Sequence, residues 1–272
     1  MKRAILPMTV LIFSILTLTY VLYPLPFMHG IDKINHATGW TIPIPPHPQY
    51  PFGLPEPEPT TAPEAGKTCA TFPVPLGEAA PTKAALDCLT VTTDRPALAD
   101  PNYVRADYGK GWVDVDGNGC TTRVDVLYQW LDKTQPFDVR PSGKCATNVY
   151  AGTWHDPYTG RTITLTDAKD PAQAQTLQID HLVPLSEASK SGANLWAPER
   201  KAAFANDPLN LTPVDGPTNN SKGDKDPAAW KPRKDYQCDY ATRYIAVKAK
   251  WDLTVDAPEK AALTDMLTYC AG

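Results

Sequence analysis

A strand-like run from Ile179 to Leu185 constrains this chain more than any other stretch, because it sets an acid beside a histidine. The adjacent pair is Asp180 and His181, and apolar residues flank it on both sides. Neighbouring residues of a strand point to opposite faces, so these two side chains are expected to diverge. Three more polar residues follow along the chain: Asn210, Asn219 and Lys222. The run therefore predicts a strand whose end carries reactive groups on both faces.

The chemistry of these side chains suits metal-assisted cleavage of a phosphodiester. A carboxylate and an amide carbonyl are hard oxygen ligands of the kind that Mg²⁺ prefers, so Asp180 and Asn219 could hold one ion. A neutral imidazole has a reference pKa of roughly 6.5 and can take a proton from a water molecule near neutral pH. His181 is therefore the predicted base, and a bound ion would stabilise the charge that develops.

The chain around this run resembles the secreted HNH endonuclease family of the ββα-metal superfamily, which is related to the C-terminal nuclease domain of GmrSD-type restriction enzymes. The motifs that carry the resemblance are FANDPLNL before Asn219, SKGDKDPAAW after it, YGKGWVDVDGNGCTTRVDVL at 108–127, GTWHDPYTG at 152–160 and VKAKWDLTV between Cys238 and Cys270. The similarity extends over roughly residues 85–272. It implies an α+β fold, with a ββα-metal (HNH, His-Me finger) catalytic element inside one disulfide-stapled domain.

The resemblance also implies a role for each site residue. His181 is the general base, and Asp180 and Asn219 are the ligands of Mg²⁺ or of another divalent ion such as Mn²⁺. Asn210 pins the loop that orients His181, and Lys222 approaches a phosphate of the substrate. The predicted nucleic-acid contacts are Lys222, Lys225 and Arg123.

The overall charge excludes one class of nucleic-acid protein. A net charge of -4 and a pI near 5.7 do not suit a protein that coats nucleic acid, because such proteins are strongly basic. Residues 219–251 nevertheless contain eight Lys or Arg against four Asp, a local balance of +4. This segment is either a solvated face or a surface that contacts substrate phosphates.

The N-terminus predicts export. Lys2 and Arg3 precede an apolar stretch, residues 4–23, which is long enough to cross a hydrocarbon core of ~30 Å. No small-residue cleavage site follows, which favours an uncleaved signal anchor over a cleaved signal peptide. Nine prolines between positions 43 and 63 exclude a helix there and predict an extended spacer. The predicted boundaries are a signal anchor or signal peptide at 1–28, a Pro-rich linker at 29–66 and the nuclease domain at 67–272.

Six cysteines in an exported chain predict disulfides, since none is spaced as C-x-x-C for a metal. The sequence by itself leaves many pairings open. The family resemblance implies that Cys120 pairs with Cys145 and Cys238 with Cys270, which leaves Cys69 to pair with Cys88.

A second set of acidic residues has the spacing of part of a calcium loop. The residues that match are Asp114, Asp116, Asn118, Gly119 and Asp125. The last position has a short aspartate in place of the bidentate glutamate, and a cysteine occupies the seventh position. A tight turn stabilised by Asn, Asp and Gly is the simpler interpretation, and Ca²⁺ at 114–125 is the alternative.

The remaining pattern predicts several helices and one further pair of strands. The predicted elements are a helix from Thr121, strands within 147–165 joined by a turn at 156–160, short helices within 186–206, and helices at 236–250 and 258–269. Arg123, on the first of these helices, is either a phosphate contact or a structural ion pair. Trp196, Trp230 and Trp251 are predicted to belong to the core.

These observations predict an exported, metal-dependent endonuclease that acts as a monomer, with nucleic acid as substrate and DNA as the first candidate. The N-terminal segment would make the membrane a second partner. The resemblance implies products with 5′-phosphate and 3′-hydroxyl ends. The alternative is a non-catalytic extracellular module on the same scaffold that binds nucleic acid or the cell envelope.

Overall fold

A computed structural model describes residues 79–93 and 103–270. The helices are α1 (Ala79–Cys88), α2 (Thr122–Gln129), α3 (Pro171–Ala174), α4 (Leu185–Lys190), α5 (Pro198–Ala205), α6 (Gly216–Lys222), α7 (Gln237–Lys250) and α8 (Ala257–Leu267). The strands are β1 (Asp138–Ser142), β2 (Cys145–His155), β3 (Thr162–Leu165), β4 (Leu177–His181) and β5 (Leu211–Asp215). Short 3₁₀ turns lie at Arg105–Tyr108, Ala193–Leu195, Pro208–Asn210 and Lys234–Tyr236. The architecture is a mixture of helices and two antiparallel sheets.

The predicted signal segment, the Pro-rich linker and Cys69 lie outside the described residues. Within 79–93 and 103–270, no helix is both long enough and apolar enough to span a membrane.

The first sheet has the order β1, β2, β3, with both pairs antiparallel. The turn between β2 and β3 forms because the Asp156 carboxylate accepts backbone N–H groups of Tyr158 and Thr159, and Gly160 closes the turn with φ +77°. Trp154, a residue of β2, is fully buried and donates its indole N–H to the carbonyl of Leu127 at 2.8 Å. The sheet and α2 therefore share a small core of their own.

The second sheet is the antiparallel pair β4 and β5, and helix α6 follows β5 directly. Asp215 ends the strand and caps the helix, because its carboxylate accepts the backbone N–H of Thr218 at 3.0 Å. Gly216 is required at this junction, since a Cβ there would lie 2.1 Å from the carbonyl oxygen of Gln175. The order strand, strand, helix thus sets α6 against the strand that carries Asp180.

The larger core surrounds α7. Tyr240, Tyr244 and Ile245 of this helix are fully buried and belong to one cluster with Leu182 and Val183, the two residues after His181. The end of β4 is therefore fixed by packing against α7.

The helix and strand predictions downstream of residue 120 are confirmed, with ends that shift by a few residues. The strand pair spans β2 and β3, the inserted helices are α4 and α5, and the two last predicted helices are α7 and α8. Trp196, Trp230 and Trp251 pack against the larger core as predicted.

Two disulfides lie within the described residues, and both have the pairing that the family resemblance implies. Cys120 is bonded to Cys145, which ties the loop before α2 to the start of β2. Cys238 is bonded to Cys270, which ties the start of α7 to the residues after α8. Cys88 is also disulfide-bonded.

Replacing both Cys238 and Cys270 by serine should lower the free energy of unfolding by about 2–4 kcal/mol, because the unfolded chain loses a cross-link over a long loop. Urea denaturation of the oxidised wild-type protein and of the double variant measures this difference. Equal midpoints and slopes in the two proteins would contradict the expectation.

The acidic side chains of the loop at 114–125 accept hydrogen bonds from the loop itself. The two carboxylate oxygens of Asp114 accept the backbone N–H groups of Gly117 and Gly119, at 2.8 and 2.9 Å. The side-chain amide of Asn118 donates to Asp125 at 3.1 Å. These are the contacts of the tight turn that was the simpler of the two interpretations.

Candidate functional site

Strand β4 places Asp180 and His181 on opposite faces at its last two positions. Their partners on β5 are Thr212 and Leu211, respectively. Both side chains are buried, with exposed fractions of 6% and 8%. The acid and the base therefore lie in different surroundings, as the alternation of a strand requires.

His181 is held by one hydrogen bond and one ring contact. Its Nε2 lies 2.9 Å from the carbonyl oxygen of Ala205, the last residue of α5, so this nitrogen carries the proton and donates it. The ring of Trp112 stacks on the imidazole with centroids 5.9 Å apart and planes 11° from parallel. Within the described part of the chain, no residue hydrogen-bonds Nδ1. Nδ1 is therefore the open acceptor of this histidine.

The FANDPLNL motif builds the support around His181. Its Ala205 accepts the imidazole N–H, and the next residue, Asn206, accepts the backbone N–H of Val113 at 3.1 Å. The second contact holds the backbone next to Trp112. The end of α5 thus fixes both the imidazole and the backbone beside the aromatic ring that stacks on it.

Asn210 connects the two ends of the insertion between β4 and β5. Its side-chain oxygen accepts the backbone N–H of Val183 at 2.8 Å, and its amide donates to the carbonyl of Val183 at 3.2 Å. Its own carbonyl accepts the backbone N–H of Leu182 at 2.9 Å. The residue is fully buried. Asn210 therefore holds the loop directly after His181 and lies away from solvent.

Burial lowers the pKa of His181 from 6.5 to about 4. The hydrogen bond to Ala205 opposes this change, whereas the positive charge of Arg105 and that of Lys222 favour it. The imidazole is therefore neutral at physiological pH, which is the state a general base requires.

The depressed pKa predicts that His181 reduces stability in acid. Between pH 6.5 and about 4 the unfolded chain binds a proton that the folded chain excludes, so stability falls as the pH falls through this window. The two pKa values correspond to about 3 kcal/mol at ~1.4 kcal/mol per pH unit. His181→Gln should remove this part of the pH dependence. Urea unfolding of the wild type and of His181→Gln at pH 7 and at pH 4 measures this difference. Equal losses of unfolding free energy in the two proteins would contradict the expectation.

On the other face of β4, Asp180 is bound by two donors. Lys222 places its ammonium Nζ 3.0 Å from Oδ2 of Asp180, and the hydroxyl of Tyr158 donates to the same oxygen at 2.5 Å. Burial raises the pKa of Asp180 and lowers the pKa of Lys222, in each case against the attraction between them. Burial also holds the pKa of Tyr158 well above its ordinary value, so this phenol stays a donor.

Lys222 was predicted to approach a substrate phosphate, whereas in the structure its ammonium pairs with Asp180. Its side chain is fully buried, and its ammonium also donates to the backbone carbonyl of His181 at 2.8 Å. A buried ammonium needs an anion and hydrogen-bond acceptors, and Asp180 with this carbonyl supplies them. Lys222 therefore joins α6 to the end of β4.

The two predicted metal ligands do not form an open site for a common ion, because the carboxylate of Asp180 is already occupied. Asp180 is occupied by Lys222 and Tyr158, and the side-chain amide of Asn219 donates to Gln178 at 2.9 Å. A divalent ion at Asp180 would compete with the ammonium of Lys222 and the hydroxyl of Tyr158 for the two carboxylate oxygens. These residues do not fit a divalent ion in this arrangement. In the described ranges, no group of three or more His, Cys, Asp or Glu is placed to hold a metal.

The basic segment at 219–251 presents fewer unpaired positive charges at the surface than its sequence predicts. Two of its cations are fully buried in ion pairs, Lys222 and Lys248. Three others pair with carboxylates: Lys231, Arg233 and Lys250. Lys225 is exposed, and its ammonium donates to the carbonyl of Ser221. The local charge of +4 is therefore largely balanced by carboxylates outside the segment, partly in the interior and partly at the surface.

A cavity of about 100 Å³ opens beside His181 and contains residues that the site prediction missed. Its lining is Arg105, Tyr108, Gly109, Gly111, Trp112, His181, Leu185 and Ala205. Arg123 and Lys225, which were predicted to contact nucleic acid, do not line it. The signal for the missed residues was the YGKGW segment, whose two glycines and tryptophan follow Arg105 closely in sequence.

Comparison with known proteins matches residues 131–266 to a family described as GmrSD restriction endonucleases, C-terminal domain. An uncharacterized secreted protein from Arthroderma benhamiae is 39% identical over 208 residues, which cover 75% of this chain and 92% of the relative. No solved structure matches the chain. The family match includes β4, β5 and α6, whereas Arg105 and Trp112 lie before it.

Proposed function

The chain belongs to the family of GmrSD restriction endonuclease C-terminal domains, and from this premise we propose that it is a nuclease that hydrolyses phosphodiester bonds of nucleic acid with His181 as general base. The β4, β5 and α6 order around Asp180 is the basis for assigning it a ββα element of the HNH type. The substrate is nucleic acid, with DNA as the first candidate.

One observation carries the proposal: His181 lies in a cavity with its proton committed to Nε2. The carbonyl of Ala205 fixes this tautomer, so Nδ1 is left to accept a proton. The imidazole is neutral at physiological pH because burial depresses its pKa to about 4. The histidine thus has the orientation, the tautomer and the charge state of a general base.

The proposed reaction moves one proton through His181. Nδ1 accepts a proton from the attacking water as its oxygen bonds to phosphorus. The bond from phosphorus to the 3′ oxygen then breaks, and that oxygen leaves with the electron pair and takes a proton from solvent. The Ala205 carbonyl stabilises the imidazolium that forms, because it accepts the N–H on the other side of the ring. Nδ1 then releases its proton to solvent, which restores the neutral base. The products would carry 5′-phosphate and 3′-hydroxyl ends, as the resemblance implies.

Dependence on Mg²⁺ or Mn²⁺ is a separate proposition that rests on the resemblance. Asp180 and Asn219 are the residues it designates, and both are engaged by neighbours of the same fold. No step above passes through an ion at these residues. Loss of activity in EDTA with recovery on adding Mg²⁺ would support the divalent ion.

We also propose that the protein works outside the cytoplasm. The two disulfides Cys120–Cys145 and Cys238–Cys270 support an oxidising compartment. The relative from Arthroderma benhamiae is described as a secreted protein, and this description supports the same location.

Incubation of the purified full-length chain with plasmid DNA or with RNA tests the activity. We expect fragments on a gel, and the arms with Mg²⁺, Mn²⁺ and EDTA report the ion requirement. Labelling of fragment ends by kinase, with and without prior phosphatase, distinguishes 5′-phosphate from 5′-hydroxyl products. Binding of both nucleic acids without any cleavage, in all three arms, would instead favour the non-catalytic module.

A further inference from the structure

The cavity beside His181 has the size of a site for one small group of a larger substrate. Its volume is about 100 Å³, well below the roughly 300–1,000 Å³ of cavities that enclose a whole small-molecule ligand. Gly111 lies on its rim with φ +83°, and a Cβ at this position would meet no atom within 4 Å. The rim is therefore open, and the backbone there allows a bulky substrate to come close.

Arg105 is placed at this cavity by the local geometry of a 3₁₀ turn. Side chains three residues apart eclipse each other in such a turn, so Arg105 and Tyr108 share one face. Tyr108 is buried and packs edge-on against Phe204, with ring centroids 6.4 Å apart. Phe204 precedes Ala205 on α5. The helix that orients His181 thus also positions the turn that carries Arg105.

Arg105 is the permanent positive charge in the lining of this cavity. The other lining residues are aromatic, aliphatic or glycine, apart from the neutral His181. Among residues 79–93 and 103–270, no carboxylate forms an ion pair with Arg105, and its side chain hydrogen-bonds the phenol of Tyr103. By contrast, Arg140 forms a bidentate pair with Asp138 at 2.9 and 2.7 Å. The guanidinium of Arg105 is therefore available to an anion.

We propose that Arg105 binds the scissile phosphate of the nucleic acid in the cavity beside His181. This inference rests on the proposed function and adds a substrate contact outside the segment that matches the family. A guanidinium presents a planar fork of N–H donors that fits two phosphate oxygens. In the reaction it stabilises the charge that builds on these oxygens as water attacks. Trp112 confines the imidazole from one side, so the phosphate enters between Arg105 and Nδ1.

Binding to a short fluorescein-labelled single-stranded DNA, in full-length protein that carries His181→Ala, tests the contact without cleavage. Arg105→Ala should weaken binding and reduce the slope of log affinity against log salt by ~0.7, the share of one phosphate contact on a single strand. Arg105→Lys should keep the slope, since it keeps the charge. Arg140→Ala is the matched control for an exposed arginine outside the cavity, and it should change neither quantity.

The same arginine variants with His181 intact report the reaction. Arg105→Ala should lower kcat/KM by ~10²-fold, in the range observed when one donor to a developing negative charge is removed, and Arg140→Ala should not. If the wild type cleaves while Arg105→Ala binds and cleaves as Arg140→Ala does, the Arg105 assignment is overturned and the nuclease stands. If the wild type binds without cleaving and Arg105→Ala still reduces the slope of log affinity against log salt, the phosphate contact stands and the nuclease proposal fails. Absence of any binding overturns both.

Discussion

His181→Ala should lower kcat for nucleic-acid cleavage by ~10²- to 10⁴-fold, the contribution that a positioned general base makes. Alanine removes Nδ1, the open acceptor, and leaves Ala205 and Trp112 in place. The fold should survive, because Asn210 and Lys222 hold the backbone on either side of this position through contacts that do not use the imidazole. Initial rates at saturating substrate, with circular dichroism to confirm the fold, measure the effect.

His155 provides the matched control. It is exposed, it lies on β2, and its Nε2 is 2.9 Å from the Asp132 carboxylate. His155→Ala removes the same atoms outside the cavity and should leave the rate unchanged. If both alanine variants retain the wild-type rate, His181 is not the base, and a loss in both would indicate that the assay reports stability.

The sequence predicted the parts of the site that depend on local geometry. Strand alternation separates Asp180 from His181 without any knowledge of the rest of the fold, and β4 has this arrangement. The pattern of apolar residues also placed α7 and α8 correctly. Such features depend on neighbours along the chain, which a sequence shows directly.

The sequence could not predict which charged groups lie inside. Lys222 and Lys248 look like members of a basic surface, yet both ammonium groups are fully buried because acids from distant segments meet them. Arg105 is separated from His181 by more than seventy positions, and the packing of its 3₁₀ turn on α5 and α4 brings the two to one cavity. Charge patterns along a chain do not contain this information, because pairing is decided by tertiary contacts.

The second large effect is expected at Lys248, which lies on α7 in the larger core. Its ammonium is 2.9 Å from Glu187 on α4 and 2.8 Å from Glu259 on α8, and all three side chains are fully buried. It also donates to the hydroxyl of Ser191 and to the carbonyl of Thr254, at 2.9 and 2.8 Å. One cation thus joins three helices, and α4 begins only four residues after His181.

Lys248→Met should lower the free energy of unfolding by about 3–5 kcal/mol, the usual result of removing one partner from a buried ion pair. Methionine is similar in length, so the main loss is the charge that balances two buried carboxylates. Lys260→Met is the matched control: its ammonium lies 3.5 Å from Asp87 on the surface, and such pairs contribute about 1 kcal/mol or less. Urea denaturation at pH 7 compares the two variants with the wild type.

Adding Glu187→Gln and Glu259→Gln to Lys248→Met separates the charge effect from the packing effect. If uncompensated carboxylates cause the loss, neutralising them should restore part of the stability, so the triple variant should unfold at higher urea than Lys248→Met alone. A triple variant that is the least stable of the set would mean that the hydrogen bonds of the glutamates, such as the 2.7 Å bond from Tyr244 to Glu259, matter more than the charge balance. A loss in Lys248→Met no larger than that in Lys260→Met would show that the buried cation does not join the helices. Because α4 directly follows the loop held by Asn210, we also expect the rate of cleavage by Lys248→Met to fall at temperatures well below its unfolding midpoint, and not in Lys260→Met.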